Sequence, residues 1–115
     1  MLTIRKEQLR ELEQCVLDEF RKRMLKQLRE GFQEFTSQMS DEDLNLFVKS
    51  GIKKAQSYGI LEVGDIEYFL EFLVTEGEDF EEKDPRAKEI LSNPQFDGEE
   101  KLEELDIYFN GLDGD

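Results

Sequence analysis

From Leu9 to Phe32 the apolar residues Leu9, Leu12, Val16, Phe20, Met24, Leu28 and Phe32 recur every three or four positions, and no proline stands between Thr3 and Phe35. That period matches the 3.6-residue turn of an α-helix, in which residues three and four apart share a face. An amphipathic helix of about thirty residues would run about 45 Å at 1.5 Å per residue, against a radius of gyration of about 13 Å for a 100-residue globule. The element therefore protrudes, kinks near Glu30-Gly31, or lies along another chain, and a homodimer through this first helix is one expectation. A repeated step of four also makes the stripe drift around the axis, so one straight partner cannot cover all of it.

The rest of the chain is punctuated by helix signals. Ser40-Asp41-Glu42-Asp43 reads as a capping box that starts a second helix at Asp41, with Leu44, Phe47, Val48, Ile52 and Ala55 on its apolar face and Tyr58-Gly59 as its end. Gly64-Asp65 opens a third helix with Asp65 as N-cap, carrying Ile66, Phe69, Leu70, Leu73 and Val74 to a stop at Gly77. Tyr68 and Phe72 make this helix apolar nearly all round, which marks it as the buried centre. Asp84-Pro85, an N-cap followed by proline at the first helical position, predicts a short helix over 86–91 closed by Asn93-Pro94. Asp97-Gly98-Glu99-Glu100 starts a last helix, on which Leu102, Leu105 and either Ile107 or Phe109 face inward. No segment alternates with a strand period over a useful length; Ile60-Leu61-Glu62-Val63 comes nearest.

These signals predict an all-α fold, a single-domain bundle of about five helices with a long N-terminal helix. The domain is expected over residues 1–109, with 110–115 as an acidic tail that frays into solvent. At 115 residues the chain is long enough to bury one core without metals or disulfides. Charged residues make up 38% and hydrophobic ones 37%, yet nine Phe and three Tyr supply large apolar surfaces, so a folded chain is expected.

Charge is divided unevenly. Residues 1–60 carry eleven Lys/Arg against ten Asp/Glu, while residues 61–115 carry four against nineteen, so the net charge of −14 belongs to the second half. Net acidity argues against nucleic acid as a partner, because phosphate binding depends on neutralisation by Lys and Arg. The N-terminus has charges where a signal peptide needs an apolar run, and no stretch approaches the ~18 apolar residues of a membrane span. With Cys15 as the only cysteine, no internal disulfide forms, and a cytoplasmic setting is expected. The absence of histidine and of a cysteine cluster leaves no zinc site, and no metal or other cofactor is expected.

The same composition disfavours catalysis. A nucleophilic Ser, Thr or Cys needs an activating base, most often histidine, and Cys15 sits beside Leu12 and Val16 where a packed thiol is the simpler reading. The eight glycines are scattered and build no phosphate loop. The acidic segment Glu76, Glu78, Asp79, Glu81, Glu82 and Asp84 lacks the ligand frame of an EF-hand. Glu67 and Glu71, four apart in the third helix, are the carboxylates with a claim to burial, though a helix edge facing solvent or a lysine is favoured over acid–base work. A non-enzymatic protein is expected.

Two features remain as partner-binding candidates. Arg21, Lys22, Arg23, Lys26 and Arg29 fall together without an intervening acid, and Lys22, Lys26 and Arg29 share one helix face as a positive stripe. The stripe is a counterpart for the acidic half, within the chain or between subunits, or else a solvated face. The second candidate is the acidic segment at Glu78, Asp79, Glu81 and Glu82, with Phe80 as a hydrophobic anchor after the cap at Gly77.

Several short stretches, Met1-Leu2-Thr3-Ile4-Arg5-Lys6-Glu7-Gln8, Gly51-Ile52, Tyr58-Gly59-Ile60, Gly77-Glu78-Asp79-Phe80, Asp84-Pro85 and Ile90-Leu91, together resemble small uncharacterised bacterial helical proteins encoded beside type VI secretion components and effectors. The resemblance spans residues 1–91 and contains no catalytic signature. It implies a cytoplasmic accessory protein, an adaptor or chaperone, whose partner is an effector, a toxin or a secretion component. The alternative is an immunity protein that presents its acidic surface to the active site of a cognate toxin.

Overall fold

In the computed structural model the backbone is described for residues 6–111 and the side chains for residues 16–111. Leu9, Leu12, Cys15 and residues 112–115 of the expected tail lie outside the described side chains. The described chain is all-α: α1 (Lys6–Gly31), α2 (Gln33–Thr36), α3 (Asp41–Ser57), α4 (Val63–Glu76), α5 (Phe80–Lys83), α6 (Pro85–Ser92) and α7 (Gly98–Asn110). Five of these have eight residues or more, and α2 and α5 are single turns. No strand occurs among the described residues, Ile60–Val63 included. The chain divides into two units, Met1–Val48 and Lys49–Asp115.

In the first unit the stripe on α1 behaves as its spacing requires. Phe20, Met24 and Leu28 are buried, whereas Val16 is 51% exposed, because the four-residue step has turned it off the covered face. The long helix breaks close to the expected position: α1 ends at Gly31, Phe32 leaves helical geometry at φ −131°, and α2 makes one further turn. Arg29 holds this corner. Its guanidinium donates to the carbonyls of Thr36 (2.6 Å), which also accepts the Met39 N–H, and of Met39 (2.8 Å) in the connection to α3, and pairs with Asp41 (2.9 Å). The Ser40 hydroxyl accepts the Asp43 N–H at 3.0 Å, as the capping box requires, and α3 begins at Asp41. Leu44, Phe47 and Val48 are buried, with Phe35 against Phe47 at 5.0 Å between ring centres. Arg21 reaches Asn45 at 2.6 Å while Arg29 reaches Asp41, so α1 and the start of α3 run antiparallel.

In the second unit α3 ends in a Schellman motif. Ile60 N–H donates to the Ala55 carbonyl and Gly59 N–H to that of Gln56, with Gly59 at φ +78°, a left-handed backbone that glycine adopts without strain. Helix α4 begins three residues before the expected start: its first helical bond runs from Ile66 N–H to the Glu62 carbonyl, so Glu62 takes the N-cap position and Asp65 falls in the first turn. The first turn meets the positive end of the helix dipole, but burial and the neighbouring Glu62 and Asp97 outweigh that attraction at Asp65. Ile66, Phe69, Leu70, Phe72 and Leu73 are buried, which makes α4 the apolar centre of this unit, although Tyr68 remains exposed. Gly51 on α3 allows close approach here, since a Cβ at that position would collide with the Leu70 side chain.

Helix α6 starts as expected. Asp84 Oδ1 accepts the N–H groups of Arg86 (3.0 Å) and Ala87 (3.3 Å) ahead of Pro85 at the first position. The same carboxylate accepts the Tyr108 hydroxyl at 3.0 Å on each oxygen, joining α6 to α7. Removing both functions, Asp84→Ala is expected to destabilise the protein by about 1–2 kcal/mol, and Asp84→Asn, which can still cap, by less; urea unfolding of the two variants checks the order. Asp97 and Glu100 make the reciprocal capping box at the start of α7. Gly98 there packs against the turn that ends α3, where a Cβ would meet the Ile60 backbone at 3.3 Å. Leu102 and Leu105 are buried, and of the two candidates beyond them Phe109 faces inward while Ile107 is exposed. Asn110 is the last helical residue and Gly111 follows at φ +75°.

Candidate functional site

The positive stripe on α1 separates into different roles. Lys22 and Lys26 are exposed, with Lys22 at 3.9 Å from Glu19 of the same helix. Arg29 is taken up by the corner of its own unit, as described above. Arg21 lies 3.8 Å from Asp18, and Arg23 stands over the Phe20 ring at 5.3 Å.

The acidic segment also divides, because α5 gives one helical turn to residues that the sequence presents as a loop. Phe80 and Glu81 turn inward, while Glu78, Asp79 and Glu82 stay exposed. Phe80 joins an aromatic cluster, meeting Phe69 at 6.1 Å, Phe72 at 6.2 Å and Phe109 at 5.6 Å. Glu81 is 1% exposed, with Oε1 2.7 Å from the Lys54 ammonium. Neither carboxylate oxygen has an aligned hydrogen bond, so the short-range charge of Lys54 is what compensates the buried anion. Lys54 also donates to the Glu78 carbonyl at 2.8 Å and lies 3.9 Å from Asp79. It thereby ties α3 to the α4–α5 connection.

Other basic groups of this unit are engaged internally as well. Lys101, buried on α7, donates to the Tyr58 carbonyl at 2.5 Å, taking an acceptor at the end of α3. Lys88 donates to the Tyr58 hydroxyl at 3.0 Å and lies over the same ring. Arg86 pairs with Glu89 at 3.0 Å, one turn along α6. Two of these cations therefore neutralise no carboxylate through the bonds they make, in a region where acids are in large excess.

That excess shows in the titration of individual groups. Asp65 is held above the ordinary aspartate range, by burial first and then by Glu62 and Asp97; Glu71 is raised by burial and by Glu67. A carboxyl with a raised folded-state pKa binds its proton more tightly folded than unfolded, so stability increases as pH falls into the window between the two values. Asp65 and Glu71 are therefore expected to raise the thermal midpoint as the pH is lowered towards their unfolded-state values of 3.8 and 4.5. Asp65→Asn should raise it at pH 7 and change it little at pH 4, as followed by circular dichroism.

The sequence did not point to Lys54, Lys101, Tyr68, Asp84's second role or Asp106. For Lys101 a signal exists in hindsight: it is a lone cation four residues before Leu105, on the apolar side of an acidic helix. Among the described residues no group of three or more Cys, Asp or Glu is arranged to hold a metal ion, and no helix is long and apolar enough to cross a membrane. No protein-family model matches the chain, nor does any curated protein or solved structure.

Proposed function

We propose that the chain is a non-enzymatic protein-binding module that receives a basic protein partner on the acidic surface of the Lys49–Asp115 unit. What supports this reading is the excess of acids, nineteen Asp/Glu against four Lys/Arg in residues 61–115, with Lys101 buried against the Tyr58 carbonyl and Lys54 paired with the buried Glu81 while Glu78, Asp79 and Glu82 face solvent. Such a surface attracts and orients a partner of opposite charge. In the setting implied by the type VI resemblance, which rests on the short sequence stretches alone, the module is an adaptor or chaperone for an effector. The carboxylate excess also favours a second reading, an immunity protein that covers the active site of a basic toxin.

Capture from native cells with the intact chain, compared with a Glu78→Gln, Asp79→Asn, Glu82→Gln variant, tests the first statement. The expected result is a basic protein retained at low salt and lost with the variant; retention unchanged by the variant counts against this surface. Assaying the captured protein separates the two roles, since an immunity protein abolishes its activity on mixing and an adaptor leaves it intact.

A further inference from the structure

Tyr68 stands on the outer side of α4, 43% exposed as a residue, next to Glu67 and one turn before Glu71. The ring rests on Phe72 at 5.3 Å, and Phe72, itself 5% exposed, abuts Phe109 of α7 at 5.9 Å. An exposed aromatic backed by packed rings is already ordered, so little side-chain freedom is lost when a partner covers it. Burial first, then the charges of Asp106 on α7 and of Glu71, hold the Tyr68 hydroxyl above its ordinary pKa, which places both carboxylates near it, and Asp106 also accepts Asn110 Nδ2 at 2.6 Å.

This surface carries no exposed cation of its own. Helix α4 contains no Lys or Arg, and the only one on α7 is Lys101, buried and bonded to the Tyr58 carbonyl. The ring face is the negative part of the aromatic quadrupole, and carboxylates stand beside it.

From this we infer that the α4–α7 surface is an arginine-docking site, in which a guanidinium from a basic segment of a protein partner lies on the Tyr68 ring and pairs with Glu71 and Asp106. Arginine suits the site better than lysine because its planar, weakly hydrated head stacks on an aromatic face while its N–H groups reach flanking carboxylates. The inference rests on the basic-partner reading above and adds where that partner is anchored and by which side chain.

The test is titration of the full chain with hexa-arginine and with hexa-lysine, followed by backbone amide NMR shifts. Shifts should centre on Tyr68, Glu71 and Asp106, with hexa-arginine bound about threefold more tightly than hexa-lysine, the scale of one exposed cation–π contact. Tyr68→Ala should remove that preference and Tyr68→Phe should retain it. Should Tyr68→Ala fail to fold, Glu71→Gln carries the test and should weaken hexa-arginine binding about threefold. Equal binding of both peptides, indifferent to these variants, overturns the docking site. So do shifts centred on Glu78–Glu82, although the acidic-surface reading then survives. Absence of binding by either peptide overturns both.

Discussion

Phe69→Ala is expected to lower the unfolding free energy by about 3–5 kcal/mol, the range for removing a fully buried aromatic ring. Phe69 is completely buried on α4 and meets Tyr58 at 6.4 Å and Phe80 at 6.1 Å. It links the end of α3, the centre of α4 and the α5 turn, so the surrounding rings cannot all close on the vacated space. A domain of this size is stable by only about 5–15 kcal/mol, which leaves the variant marginal. Urea unfolding followed by circular dichroism checks this, with a large fall in midpoint at similar slope. Tyr68→Ala, one position earlier and on the exposed side, should change the midpoint far less.

Lys54→Met should destabilise by about 3 kcal/mol, at the low end for breaking a buried ion pair because Lys54 keeps some contact with water. The loss comes from Glu81, which would remain at 1% exposure with no cation beside it. Lys54→Met combined with Glu81→Leu should recover most of it, since a buried pair replaced by apolar groups of similar volume is often neutral or better. The double-mutant cycle therefore predicts strong coupling of opposite sign to the single losses. Additive losses would mean that Lys54 acts through its stem or through the Glu78 carbonyl instead.

The features legible in the sequence were those decided within a few residues. Ser40, the Asp84-Pro85 pair, the Asp97–Glu100 box, Gly59 and Gly77 each mark a boundary through a local hydrogen bond or backbone angle. The apolar faces of α3 and α4 followed from period alone. Asp65 was misplaced because a side-chain cap is the visible signal, whereas α4 starts at Val63 with Glu62 as an N-cap that makes no side-chain bond. The single turns α2 and α5 were missed because four residues carry no period. The site depended on long-range geometry: Glu81 and its neighbours share composition, yet one turn of helix buries it against a lysine twenty-seven positions earlier. Arg29 belonged to a basic stripe by spacing, but the corner after α2 supplied three acceptors for it.

The central claim is that the acidic surface of the second unit recognises a basic protein partner by charge, and the salt dependence of that affinity measures it most directly. Between 50 and 500 mM NaCl, where the screening length contracts to a few ångströms, dissociation of the captured partner should become at least about tenfold faster or the complex at least about tenfold weaker. The Glu78→Gln, Asp79→Asn, Glu82→Gln variant should bind more weakly at low salt and depend less on salt. An affinity that stays constant across this range, in the intact chain and the variant alike, would contradict the account.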